Sequence, residues 1–106
     1  MVKKKLEPHD LLVEVLRDVL QWLERSSQKK LIIGGIASSL LGEPRFTRDV
    51  DAVVWLDSDK WENLLADARK HGISPRIQNP LAFARSNRIL LLQHEKTGIS
   101  IDLSLA

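Results

Sequence analysis

The chain carries Leu31-Ile32-Ile33-Gly34-Gly35 and, after thirteen intervening residues, Asp49-Val50-Asp51-Ala52-Val53-Val54-Trp55-Leu56. The first stretch is a short apolar run that ends in two glycines, which reads as a buried strand running into a sharp turn. The second is rich in β-branched and aromatic residues from Val50 to Leu56 and reads as another strand. Between them, Ile36 to Leu41 has the look of a short helix closed by Gly42 and followed by Pro44. Strand, glycine turn, helix and strand in this order predict an α/β layer architecture.

Working outward, Pro8 to Ser26 reads as an amphipathic helix. Leu11, Leu12, Val15, Leu16, Val19, Leu20 and Leu23 recur at helical spacing, with charged and polar residues opposite. Asp57-Ser58-Asp59 offers a cap and negative charge to a helix that ends in Arg69, Lys70 and His71 before Gly72. Ile73 to Ile77 is a predicted third strand, Asn79-Pro80 opens a turn or short helix to about Arg85, and Ile89 to Gln93 is a fourth strand. Lys96-Thr97-Gly98 makes a turn into a fifth strand, Ile99 to Leu105. The last two strands are expected to pair as an antiparallel hairpin. The fold expectation is therefore α/β (α+β): a mixed sheet of about five strands with helices packed on it.

Composition sets the bounds. The chain has 106 residues, 16 Lys+Arg against 14 Asp+Glu, 43% hydrophobic residues and no cysteine. One core is all that such a length supports, so a single domain over 1–106 is expected. Without cysteine there is no disulfide, thiolate nucleophile or Cys-ligated zinc. A net charge of +2 is too small for nucleic-acid binding by bulk electrostatics. No stretch approaches the roughly 18 apolar residues of a membrane helix, and residues 1–10 lack the pattern of a signal peptide, so no membrane partner and a cytoplasmic location are expected.

Three places could carry chemistry. Gly34-Gly35, between a strand and a helix, would let the backbone approach an anion at a helix N-terminus, and equally reads as a plain turn. It matches neither a dinucleotide fingerprint nor a P-loop. Asp49 and Asp51 are two apart on a strand and so share a side. They suit a hard cation such as Mg²⁺, or else an exposed acidic pair bridged to Arg45 or Arg48. Asp102, between Ile101 and Leu103, faces away from the core if its neighbours face inward. Three convergent carboxylates would make a two-metal site for phosphoryl transfer; Asp102 alone reads as a solvent-facing strand residue.

Together these residues resemble the nucleotidyltransferase superfamily typified by DNA polymerase beta. Its signature is a hydrophobic strand ending in Gly-Gly or Gly-Ser, about a dozen residues, Asp-x-Asp/Glu, and a later lone carboxylate among hydrophobics. The wider string Gly34-Gly35-Ile36-Ala37 through Gly42-Glu43-Pro44-Arg45-Phe46-Thr47-Arg48-Asp49-Val50-Asp51 is most similar to a bacterial branch that includes abortive-infection and toxin–antitoxin members. The resemblance spans residues 31–103.

It implies a Mg²⁺-dependent enzyme, with two ions and a bound nucleoside triphosphate, that transfers a nucleoside monophosphate to a hydroxyl acceptor on a protein, an RNA or a small molecule. Asp49, Asp51 and Asp102 would be the metal-binding and catalytic residues, and Gly34 and Gly35 would meet the phosphates. Ser38 and Arg45 are added as phosphate contacts on physical grounds, since the planar guanidinium fork suits phosphate. The Arg-Asp pair of the tRNA-tailing branch is replaced by Ser38-Ser39. Members usually continue with helices beyond the third acid, so the chain reads as a minimal or truncated module. The alternative is a non-catalytic module of the same fold, such as an antitoxin or an oligomeric partner protein.

Other residues carry milder expectations. Trp22, Trp55 and Trp61 read as core or interface aromatics. His9, His71 and His94 form no metal motif. Arg76, Arg85 and Arg88 read as a solvated basic face or as the lining of a groove for an acidic partner. The strand 99–105, if at a sheet edge, would be open to pairing with a second copy.

Overall fold

The structure is a computed structural model that describes residues 8–26, 29–33 and 49–106. The elements are helix α1 (Pro8–Ser26), strand β1 (Lys29–Ile33), strand β2 (Asp49–Trp55), a 3₁₀ turn (Ser58–Lys60) running into helix α2 (Trp61–Lys70), strand β3 (Ile73–Pro75), helix α3 (Pro80–Asn87), and strands β4 (Ile89–His94) and β5 (Ser100–Leu105). The predicted helix over Ile36 to Leu41 lies outside the described residues.

The strands form one mixed sheet in the order β1-β2-β5-β4-β3. Only the β2–β5 pair is parallel among these; β1–β2, β4–β5 and β3–β4 are antiparallel. The mixed α/β class and the β4–β5 hairpin are as expected. The position of the last strand is not. β5 lies between β2 and β4, so both its edges are already hydrogen-bonded and cannot take a second copy by strand addition.

Alternation along the strands builds the core. Val50, Ala52 and Val54 of β2, Leu90 and Leu92 of β4, and Ile101, Leu103 and Leu105 of β5 are buried, as the period of two requires for a sheet with one covered face. The covering side comes from Val15, Val19, Trp22 and Leu23 of α1 and Trp61, Leu64, Leu65 and Ala68 of α2, all in the same core cluster. The Trp22 indole N–H donates to the Leu64 carbonyl at 2.9 Å, fastening α1 to α2 inside the core. Trp61 is also buried, and its indole donates to the Leu56 carbonyl at 3.1 Å. Trp55 is not in the core: it is 46% exposed on the other face of β2.

Several boundaries shift for local reasons. A 3₁₀ turn precedes α2, and neither Asp57 at the start of that turn nor Lys60 at the start of α2 makes a side-chain capping bond. At the far end of α2, the His71 and Gly72 amides close on the Ala68 and Arg69 carbonyls. Gly72 has φ +73°, a left-handed conformation that glycine adopts without a Cβ penalty. The third strand stops at Pro75, two residues short of the expected Ile77, although the Arg76 amide still donates to the Leu91 carbonyl of β4. The helix after Asn79 runs on to Asn87, where Arg88 in the left-handed region reverses the chain into β4. Among the described residues no helix is long and apolar enough to cross a membrane.

Candidate functional site

The face of the sheet turned away from α1 and α2 carries the acids. In β2 the alternation puts Asp49 and Asp51 opposite Val50 and Ala52, and both carboxylates are exposed. In β5 the same alternation puts Asp102 opposite Ile101 and Leu103. The parallel register makes Asp51 and Asp102 direct partners and sets Asp49 beside Ser100. Neighbouring strands are about 4.8 Å apart, and residues two apart on a strand about 6.6 Å. All three carboxylates therefore share one small patch of one face. On the other side of β2, Ile33 is the partner of Asp51, so the chain reaches the end of β1 beside that carboxylate. Gly34, Gly35, Ser38 and Arg45 lie outside the described residues.

Partial burial and like charge act together on this patch. The Asp51 carboxyl is held above its ordinary value of 3.8, first by partial desolvation and then by the charges of Asp102 and Asp49. A raised carboxyl means that the folded chain binds this proton more tightly than the unfolded one does. The stability linked to it is fully present below the ordinary carboxylate range and is lost as pH rises through the raised value. Near neutrality three carboxylates on one face favour a cation beside them.

One cation is already present in the chain. Arg76 donates from one terminal nitrogen to Asp102 Oδ1 at 2.6 Å and from the other to the carbonyls of Leu92 at 2.7 Å and Ile101 at 3.2 Å. Those two carbonyls belong to facing residues of β4 and β5. The backbone of Arg76 is pinned as well, its amide donating to the Leu91 carbonyl. The expectation of a solvated arginine at this position is corrected: the guanidinium lies across the β4–β5 ladder and grips the third acid. Arg88 is likewise engaged, donating from Nε to the Leu105 carbonyl at 3.1 Å.

The donor chemistry fits a hard divalent ion, since Mg²⁺ takes oxygen ligands and commonly one or two carboxylates plus phosphate. The arrangement is open. Among the described residues no three His, Asp or Glu side chains converge as a ready metal-binding group, and Asp102 already has an oxygen committed to Arg76.

A second polar cluster escaped the sequence reading. His94 is 1% exposed on the core side of β4. Its Nε2 lies 2.7 Å from Asp18 Oδ2 of α1, and its Nδ1 lies 2.9 Å from Thr97 Oγ1 in the following turn. A carboxylate only accepts, so Nε2 carries the proton that it donates to Asp18. Beside it, Lys96 donates to Glu14 at 2.6 Å. These contacts clamp α1 to the β4–β5 turn. The period of two, which puts Leu90, Leu92 and His94 on one face, was the available signal: an inward histidine needs a partner.

Neither a family model nor a curated protein sequence matches this chain.

Proposed function

We propose that the chain is a nucleotidyltransferase-like domain that binds a divalent cation and a nucleoside triphosphate on the acidic face and transfers the nucleoside monophosphate to a hydroxyl acceptor. The observation that carries this reading is the parallel register of β2 and β5. It sets Asp51 against Asp102 with Asp49 on the same face, and this shared face supports the site suggested by the Gly34-Gly35, Asp-x-Asp and lone-aspartate pattern.

In this reading Asp49 and Asp51 hold the cation, and Asp102 completes the site and orients the acceptor hydroxyl. Gly34 and Gly35, with Ser38 and Arg45, meet the phosphates. Mg²⁺, as two ions when the triphosphate is present, would neutralise charge that builds on the phosphoryl oxygens. The acceptor hydroxyl would give up its proton with the help of Asp102, its oxygen would bond to the α-phosphorus as the bond from that phosphorus to the bridging oxygen of the β-phosphate breaks, and pyrophosphate would leave.

The test is calorimetric titration of Mg²⁺ and a nonhydrolysable triphosphate into the wild type and into Asp49→Ala/Asp51→Ala. The wild type should bind the pair and the double variant should not; equal binding by both removes the reading. The Arg76–Asp102 ion pair favours a second reading, a non-catalytic module of the same fold acting as an antitoxin or oligomeric partner. Binding of the triphosphate without transfer to any hydroxyl acceptor would select it.

A further inference from the structure

Arg76 has more hold on Asp102 than a surface ion pair needs. Three oxygens receive its guanidinium: Asp102 Oδ1, and the Leu92 and Ile101 carbonyls. The two carbonyls are neutral and fixed in the sheet, so they locate the positive charge whether or not Asp102 is free to move. The pair is about three-quarters shielded from solvent, with side chains 26% and 30% exposed. A guanidinium held by several acceptors at once keeps its geometry, whereas a surface lysine would swing away.

Building on the cation reading above, we infer that Arg76 is the resident counter-charge of the acidic face and competes with a divalent cation for Asp102. The competition is direct at one oxygen and electrostatic at the rest of the site. Oδ1 is engaged at 2.6 Å, so a cation reaches Asp102 through one remaining oxygen at most. Asp49, Asp51 and Asp102 with Arg76 leave the patch with two fewer positive charges than neutrality requires. One divalent ion therefore balances the patch, and a second is accommodated when a polyphosphate brings further negative charge. This accounts for three acids that share a face without closing into a cage. Arg76 is a positioning residue here, since it acts through Asp102.

The test is titration of Mn²⁺ alone, with free Mn²⁺ counted by its electron paramagnetic resonance signal, into wild type, Arg76→Gln and Arg76→Lys. Gln removes the charge and keeps a donor for the carbonyls; Lys keeps the charge and loses the fork. Arg76→Gln should bind the first ion about tenfold more tightly. That is the factor Coulomb's law gives for removing a unit charge about 6 Å from a divalent ion in water-like surroundings. Arg76→Lys should fall between the two, tighter than wild type and weaker than Arg76→Gln, since the charge stays near the patch and the fixed grip on Asp102 is lost.

Unchanged or weaker binding in Arg76→Gln, with the wild type binding Mn²⁺, overturns the competition and leaves the cation site standing. No binding by the wild type or by Arg76→Gln removes the cation site and this inference together. If Arg76→Gln does not fold alone, Mn²⁺ should restore its circular dichroism spectrum, and failure to do so also overturns the inference.

Discussion

Trp22→Ala should cost about 3–5 kcal/mol, the range for truncating a buried aromatic. Trp22 is fully buried, and its ring fills the junction of α1, α2 and the sheet. Its N–H is also the donor for Leu64 of α2. Truncation therefore combines a cavity with the loss of a buried hydrogen bond, which alone is worth about 0.5–1.5 kcal/mol; the Leu64 carbonyl keeps its place in the α2 ladder. A domain of this size has roughly 5–15 kcal/mol to lose, so most of the margin goes with one side chain. Trp22→Phe separates the two contributions, because it keeps most of the ring and removes the donor. Urea unfolding should rank wild type above Trp22→Phe and Trp22→Phe above Trp22→Ala. A loss under about 1 kcal/mol for Trp22→Ala would mean that α1 is not docked as described.

Two adjacent residues of β5 should respond in opposite ways. Ile101→Ala should cost about 2–5 kcal/mol, because Ile101 is fully buried in a strand with neighbours on both sides. Asp102→Asn should change stability by less than about 1 kcal/mol, the usual worth of a partly exposed ion pair. The lost attraction to Arg76 is offset by relief of Asp51, whose carboxyl Asp102 pushes up. Thermal melts of the two variants check this. Similar losses in both would contradict the assignment of the two faces of β5, and with it the placement of the acids.

What could be read from the residues follows from where the information sits. Alternation and helical spacing are local, so α1, β2, β4, β5 and the inward face of each strand were legible. The shared face of Asp49 and Asp51 followed from their spacing of two. That Asp102 joins them depended on which strand β5 pairs with, a choice made by burial on the helix side rather than by anything in Ile101-Asp102-Leu103. The same choice put β5 in the interior instead of at an edge. Arg76 carried no local sign of its role: its partner lies 26 residues away, and a single arginine after a strand reads as surface. His94 was different, since its place in the alternation already demanded a partner, and α1 supplied it.

The central claim is that Asp49, Asp51 and Asp102 act as one cation site, and Asp51 is its most sensitive reporter. The most direct measurement is the ¹³C chemical shift of the Asp51 side-chain carboxyl against pH, with and without Mg²⁺. Without the ion, the carboxyl should titrate above its ordinary value of 3.8, raised by partial desolvation and then by the charges of Asp102 and Asp49. With Mg²⁺, the titration should move down, and the Asp49 and Asp102 carboxyl signals should shift at the same ion concentration. An Asp51 titration that ignores Mg²⁺, or a Mg²⁺ response confined to acids elsewhere such as Glu14 and Asp18, would contradict the account.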